Sequence, residues 1–162
     1  MILARTARLF IVGAVLAIAV PVSSAAAQTR TAHIVAAEGA QRAISAALAE
    51  AKKQGWNVSI AVVDNGGDLV GFLRMDNASP GSADISQAKA RTAARMKRPT
   101  RALDSTLTAG RVAILGLPGV TPVEGGVPII VNGEIIGAIG VSGATSAQDA
   151  QVAQAGASAV QP

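Results

Sequence analysis

The chain has 162 residues, half of them hydrophobic, and its formal net charge is +4 with a single histidine. The length suits one domain with one core. Because the sequence contains no cysteine, disulfides and thiolate metal sites are excluded. One Trp, two Phe and no Tyr leave few side chains on which bases could stack, so we do not expect nucleic acid as a partner.

Residues 1–27 have the three parts of a secretory signal peptide. Arg5 and Arg8 form a basic region, a twelve-residue apolar run follows, and small residues end at Ala27. The apolar run is too short to span a bilayer, so we expect cleavage after Ala27 and no stable membrane insertion. Residues 28–162 then form a single exported domain, periplasmic or secreted. Without Arg5 and Arg8 this domain has 12 basic and 10 acidic residues, which gives little attraction to polyanions.

The first half of this domain is predicted to be a helix followed by a hairpin. Residues 31–54 carry apolar side chains at helical spacing, and Gly55 is a suitable C-terminal stop. Residues 58–63 and 68–75 alternate as strands around the turn at 64–67. We therefore expect an antiparallel pair after the first helix.

A second helix and a long connection follow. Ser82 is a candidate N-cap for a helix that runs to about Arg98, where Pro99 discourages continuation. Residues 103–125 contain further prolines and are interpreted as a loop with room for one short helix.

The end of the chain is predicted to be a second hairpin and a last helix. Asn132-Gly133 favours a two-residue turn between apolar strands. In the second strand Ala138 and Gly140 share a face that is nearly free of side chains, so a helix or flat ligand can approach it closely. Thr145 has the position of a capping residue for a helix over 146–160.

The element order predicts an α+β domain, in which helices pack on an antiparallel sheet built from two hairpins. Strands do not alternate singly with helices, which argues against a Rossmann or TIM fold. The glycines at 137, 140 and 143 are spaced by three within and after a strand. They do not form a dinucleotide-binding fingerprint.

The residues alone identify no catalytic group. Asp64 and Asp68 are explained by turn formation. Asp84 and Asp149 fall in the first turns of predicted helices, where the helix dipole favours acids. The densest charge is on the second helix, where three arginines are predicted to share a face that is either solvated or binds carboxylates or phosphates. The cations of this segment are Lys89, Arg91, Arg95, Lys97, Arg98 and Arg101.

Five short motifs, read together and in order, resemble the GlcG/HbpS family of haem-binding or haem-degrading domains. The resemblance runs from about residue 34 to residue 160. It implies an α-β-α sandwich with a central antiparallel sheet, assembly into homo-oligomers, and, for some members, binding of haem or a related tetrapyrrole. The motifs are VVDNGGDL (62–69), RMD (74–76), KARTA (89–93), GGVPI (125–129) and GAIGVSG (137–143).

If haem is the cofactor, the side chains of the exported domain that suit iron are few. His33, which the prediction places at the start of the first helix, is our candidate metal ligand. Met75 and Met96 also carry donor atoms, but their apolar neighbours predict core positions. The side chains that we expect to bind the haem propionates are Arg74, Arg91 and Arg95.

The leading hypothesis is therefore an exported, non-catalytic protein that binds haem or a related tetrapyrrole in scavenging, storage or sensing. One alternative is an enzyme or enzyme-accessory protein that acts on a small anionic metabolite held by the basic helix. Another is a structural oligomer without a ligand.

Overall fold

Four α-helices, one short 3₁₀ helix and four strands make up residues 31–162, the part of the chain described by the structure, which is a computed structural model. Residues Ala32–Pro162 form one compact unit. In chain order the elements are α1 (Ala37–Gln54), β1 (Ser59–Asp64), β2 (Leu69–Arg74), α2 (Ser82–Met96), α3 (Thr100–Thr108), the 3₁₀ helix (Val112–Gly116), β3 (Gly126–Val131), β4 (Glu134–Ser142) and α4 (Ser146–Ser158).

The strands form one antiparallel sheet in the order β2-β1-β4-β3, so each predicted hairpin contributes two neighbouring strands. The central strands β1 and β4 pair from Ser59 opposite Ser142 to Asp64 opposite Gly137. Since β1 ends where β4 begins, the two hairpin turns lie at the same end of the sheet.

Helices cover both faces of the sheet. Ile60 and Val62 of β1 belong to a buried cluster with residues of α1 and α4. The alternate residues Ala61 and Val63 point to the other face and pack against alanines of α2. This arrangement confirms the expected α+β class and the α-β-α sandwich.

The side-chain-poor face of β4 packs against a helix. A Cβ atom at Gly140 would overlap the Ser86 carbonyl oxygen and the Ala90 nitrogen of α2. Ala138, two residues earlier, is fully buried in the cluster beneath α2. The sequence allowed either a helix or a flat ligand to approach this face closely, and in the structure α2 occupies it.

Local signals at the element ends are confirmed. Asn132 and Gly133 have φ angles of 51° and 78°, as a tight hairpin turn requires. Gly55 ends α1 with φ 73°. The capping box of α4 is complete, because Thr145 Oγ1 accepts from Gln148 N and Gln148 Oε1 accepts from Thr145 N.

The predicted start of the first helix at residue 31 is wrong. Helix α1 begins at Ala37. Val35 N donates to Ile136 O at 2.8 Å, so this contact with β4 holds the chain outside the helix. His33 consequently lies ahead of α1 and not on it.

The bounds of the second helix also differ from the prediction. The N-cap residue is Gly81 and not Ser82, since the Ser82 hydroxyl donates to the Ser79 carbonyl at 2.6 Å. The helix ends at Met96, before Lys97 with φ 50°. Arg98 therefore does not share a helical face with the arginines of α2.

Helix α3 occupies part of the segment that was interpreted mainly as a loop. Threonines are frequent in it, and their helix propensity is low, so the local signal is weak. Packing stabilises the helix, because Thr100 and Leu103 are buried and Thr100 Oγ1 accepts from Gly126 N at 2.9 Å.

Within residues 31–162 no helix is both long and apolar enough to cross a membrane. The predicted signal peptide, residues 1–27, and its cleavage point lie outside the described residues and stay predictions.

Candidate functional site

His33 lies beside both hairpin turns. Its Nδ1 atom is 2.7 Å from Glu134 Oε2, next to the β3–β4 turn. Its carbonyl oxygen accepts from Asn65 Nδ2 of the β1–β2 turn at 3.1 Å. The imidazole is 72% exposed, and its Nε2 atom makes no hydrogen bond within the described residues. The ring is thus oriented through one nitrogen while the other is open to a ligand.

Arg91 and Arg95 hold the same β1–β2 turn from α2. Arg91 Nε donates to Gly67 O at 3.3 Å, and Arg95 Nε donates to Gly66 O at 2.7 Å. Both arginines are exposed residues. Three of the four predicted site residues, His33 and these two arginines, are therefore brought together around one turn.

Asp64 and Asp68 build this turn, as predicted. Asp64 Oδ1 accepts from Gly66 N at 2.8 Å and from Asp68 N at 2.9 Å. In residues 31–162 no group of three or more His, Cys, Asp or Glu side chains is placed to hold a metal ion. The rigid turn instead gives the surrounding cations and imidazole a fixed support.

Arg74 does not join this group. It lies at the end of β2, opposite Ser59 at the start of β1. Its Nε and Nη2 atoms donate to the Ala78 carbonyl oxygen at 3.1 and 3.0 Å. The structure therefore places this predicted propionate partner at the opposite end of the sheet.

The two methionines have different surroundings. Met75 is half-buried against the larger core cluster, in agreement with the core position predicted for it. Met96 is half-buried at the end of α2, where it lines a cleft.

Sequence reasoning missed a buried ion pair between Lys89 of α2 and Asp149 of α4. Lys89 Nζ lies 2.8 Å from Asp149 Oδ2 and donates to Val141 O at 3.1 Å. Asp149 Oδ1 accepts from Ala144 N at 3.0 Å. Both side chains are at most 3% exposed. The sequence interpretation placed Lys89 among the cations of a basic helix and explained Asp149 by the helix dipole. It therefore did not predict this pair.

The glycines of the GGVPI motif make room for the pair. A Cβ atom at Gly125 would lie 2.8 Å from Lys89 Nζ, and one at Gly126 would overlap the Lys89 carbonyl. The two consecutive glycines were the available sequence signal, because glycine often marks a place where another segment approaches the backbone closely. It could not identify the partner, because Asp149 is 60 residues from Lys89.

Burial raises the pKa of the Asp149 carboxyl above its ordinary value, while the hydrogen bond and charge of Lys89 and the Ala144 N–H act in the opposite direction. The pair is closed to solvent and fully hydrogen-bonded. We therefore assign it to the stability of the fold and not to ligand binding.

The fold and this turn-centred site define a class: an α-β-α domain in which an exposed histidine and two arginines contact the same hairpin turn. Comparison with known proteins identifies the family to which the chain belongs. Residues 35–158 match the family described as "Haem degrading protein HbpS-like". The protein GlcG of Escherichia coli K12 is 49% identical over 113 residues, which cover 70% of this chain and 84% of GlcG.

Solved structures agree with this match. A double mutant of Streptomyces reticuli HbpS superposes with a TM-score of 0.76 at 35% identity, over 87% of this chain and 97% of that one. A structure described as the PduOC:heme complex superposes with a TM-score of 0.71 at 26% identity, over 78% of this chain and 95% of the other. The chain belongs to the HbpS-like family, as the five motifs predicted.

Proposed function

We propose that this protein is an exported, non-catalytic binder of haem or a related tetrapyrrole, in which His33 would be the iron ligand. The observation that carries the proposal is the contact of His33 Nδ1 with the Glu134 carboxylate at 2.7 Å. Histidines that bind metals commonly donate their other ring N–H to a carboxylate, which orients the ring and raises its basicity. The residues present therefore fit the group.

Arg91 and Arg95 support the proposal through charge. They attach to the same turn as His33, and arginine pairs well with carboxylates such as propionates. Each has committed its Nε atom to a backbone carbonyl, which leaves its terminal N–H groups for a ligand. Because part of each guanidinium group is already hydrogen-bonded, a ligand that also binds His33, such as haem, is favoured over a small metabolite bound by the arginines alone.

If haem were bound, its iron would accept a nitrogen ligand, and His33 would supply that ligand through its imidazole. The residues of this chain position that nitrogen: Glu134 holds the ring, and the contact between Val35 N and Ile136 O holds the segment that carries it. The haem complex of the related PduOC domain supports the same ligand class. Export, homo-oligomer formation and the absence of catalysis are part of the proposal and rest on the sequence and the family resemblance.

A hemin titration followed by the Soret band tests the proposal. We expect a saturable shift for the protein lacking residues 1–27, a large loss of affinity in His33→Ala, and partial recovery of the spectrum with added imidazole. In Glu134→Gln we expect the affinity to fall by roughly 10-fold, because the ring loses its charged partner. Lys52→Ala, an exposed change at the far end of α1, is the control and should behave as the unmodified protein.

Two results separate the parts of the proposal. The absence of any saturable shift at micromolar hemin would rule out haem binding. A normal Soret shift with unchanged affinity in His33→Ala would rule out His33 as the ligand.

A further inference from the structure

A cleft on the α2 side of the domain is separate from the turn-centred site. It lies between the end of α2, helix α3 and the 3₁₀ helix, and has a volume of about 320 Å³. We call it the α3 cleft. Leu103 and Ile114 form buried apolar walls, and Leu117 is partly exposed at the surface. Its interior is therefore apolar.

Two cations line this apolar cleft. Arg98 and Arg111 are exposed, and neither forms an ion pair with any described residue. Arg98 Nε donates to the Met96 carbonyl at 3.2 Å. The hydrogen bonds of Arg111 within residues 31–162 are made by its backbone, where its N–H donates to Thr106 O and its carbonyl accepts from Ile114 N. Both retain donor groups that could meet an anion at the cleft.

The nearby acids are engaged elsewhere. Asp104 Oδ2 accepts from Glu124 N at 2.9 Å, and Glu124 Oε1 is 3.7 Å from Arg101 Nε. These groups line a different depression across α3. The α3 cleft thus carries positive charge that the described part of the chain does not neutralise.

We propose that the α3 cleft binds an apolar carboxylate, with its hydrocarbon part against Leu103, Ile114 and Leu117 and its carboxylate at Arg98 and Arg111. An apolar cleft with a few convergent polar groups is the usual form of a small-molecule site, and the volume is at the small end of that range. Guanidinium groups form bidentate hydrogen bonds with carboxylates. The site does not depend on His33 or on the proposed haem function.

A calorimetric titration with dodecanoate below its micelle concentration tests the site, with dodecanol as the uncharged probe. We expect the unmodified protein to bind dodecanoate saturably and to bind dodecanol about tenfold more weakly. The double variant Arg98→Gln/Arg111→Gln should also bind dodecanoate about tenfold more weakly, because charge-assisted hydrogen bonds are lost. Arg101→Gln is the matched control, since Arg101 is exposed and pairs with Glu124 away from the cleft. It should bind as the unmodified protein.

Ala113→Trp tests the location by steric block, because Ala113 is an exposed residue that lines the cleft. We expect it to weaken dodecanoate binding without lowering the thermal midpoint. Displacement of dodecanoate by hemin would identify a propionate edge as the natural carboxylate, whereas dodecanoate binding that hemin leaves unchanged would identify a free alkyl carboxylate.

The proposal is overturned if dodecanoate does not bind saturably. Equal affinity for dodecanol, an equal loss in Arg101→Gln, or full binding by Ala113→Trp would overturn it as well. These outcomes are independent of the Soret response of His33→Ala, so failure of this site and failure of the haem proposal are distinguishable.

Discussion

At the scale of single residues, the buried contact between Lys89 and Asp149 explains why several family motifs lie where they do. Lys89 begins KARTA, and Gly125 of GGVPI leaves the space in which its ammonium group lies. Val141 of GAIGVSG supplies a carbonyl to the same ammonium group. A motif of α2 and two motifs of the β3–β4 hairpin therefore meet at one buried charge.

The first prediction at this scale concerns the loss of one charge from the pair. Lys89→Met should lower the free energy of unfolding by about 3–5 kcal/mol, because Asp149 is then left buried without its cation. The double variant Lys89→Met/Asp149→Leu should recover most of this loss, since it leaves no unpaired charge. Urea unfolding of both variants measures the difference.

Lys53→Met is the control for this prediction. Lys53 is 74% exposed and lies 3.8 Å from Glu50, and exposed pairs of this kind contribute about 0–1 kcal/mol. If Lys89→Met cost no more than Lys53→Met, the stabilising role of the buried pair would be refuted.

The second prediction concerns pH. Because burial raises the pKa of Asp149, the folded state binds a proton more tightly than the unfolded chain does. The contribution of protonated Asp149 to the free energy of unfolding is fully present below the ordinary pKa near 3.8. That contribution is lost as pH rises through the higher pKa that Asp149 has in the folded state. The stability difference between the unmodified protein and Asp149→Asn should therefore decrease as pH rises above 3.8.

Urea midpoints of both proteins, taken from about pH 3 to about pH 7, measure this difference. An increase with pH over the same window would show that the attraction to Lys89 outweighs burial and that the pKa is lowered in the folded protein.

At the scale of elements, the packing of α2 on β4 depends on the absence of side chains from one face of the strand. Gly140 lets the backbone of α2 approach the sheet, and Ala138 and Ala90 fill the remaining space with small groups. The opposite face has larger residues such as Ile139 and Val141, which pack with α1 and α4. One strand thus presents small residues to α2 and larger residues to α1 and α4.

Gly140→Ala tests this packing. Its Cβ atom would overlap backbone atoms of α2, so we expect a loss of about 1–3 kcal/mol in the free energy of unfolding. Gly81→Ala is the matched control, because a Cβ atom there meets nothing within 4 Å and the φ angle is −65°. It should change the free energy of unfolding by less than about 1 kcal/mol, because the lower entropy of the unfolded chain and the poorer N-cap preference of alanine act in opposite directions.

Thermal and urea unfolding of both glycine variants provide the measurement. A loss at position 140 no larger than that at position 81 would show that α2 can move away from β4 at little cost.

At the scale of the whole molecule, the order of the strands creates the candidate haem site. Pairing of β1 with β4 brings both hairpin turns to one end of the sheet. The segment before α1 then places His33 against Glu134 and Asn65, and α2 brings Arg91 and Arg95 to the same turn. The α3 cleft is formed by the end of α2, helix α3 and the 3₁₀ helix, so the two proposed sites share only α2.

The sequence predicted the parts of this site better than their arrangement. His33, Arg91 and Arg95 were identified as candidates because few residue types bind iron or propionates, and they do lie around one turn. Arg74 was selected on the same chemistry but lies at the other end of the sheet. Composition can name suitable side chains, whereas only strand pairing determines which of them are neighbours.

By itself the sequence determined the element order, the two hairpins, the tight turn at Asn132-Gly133 and the capping box of α4, together with membership of the family. The hairpin turn and the capping box depend on contacts between residues a few positions apart, so a local pattern is sufficient to specify them, whereas family membership follows from five motifs taken together. Tertiary structure decided the rest. Glu134 is 101 residues from His33, and Asp149 is 60 residues from Lys89. The start of α1 and the bounds of α3 were also decided by packing, because contacts with distant strands outweigh weak local preferences.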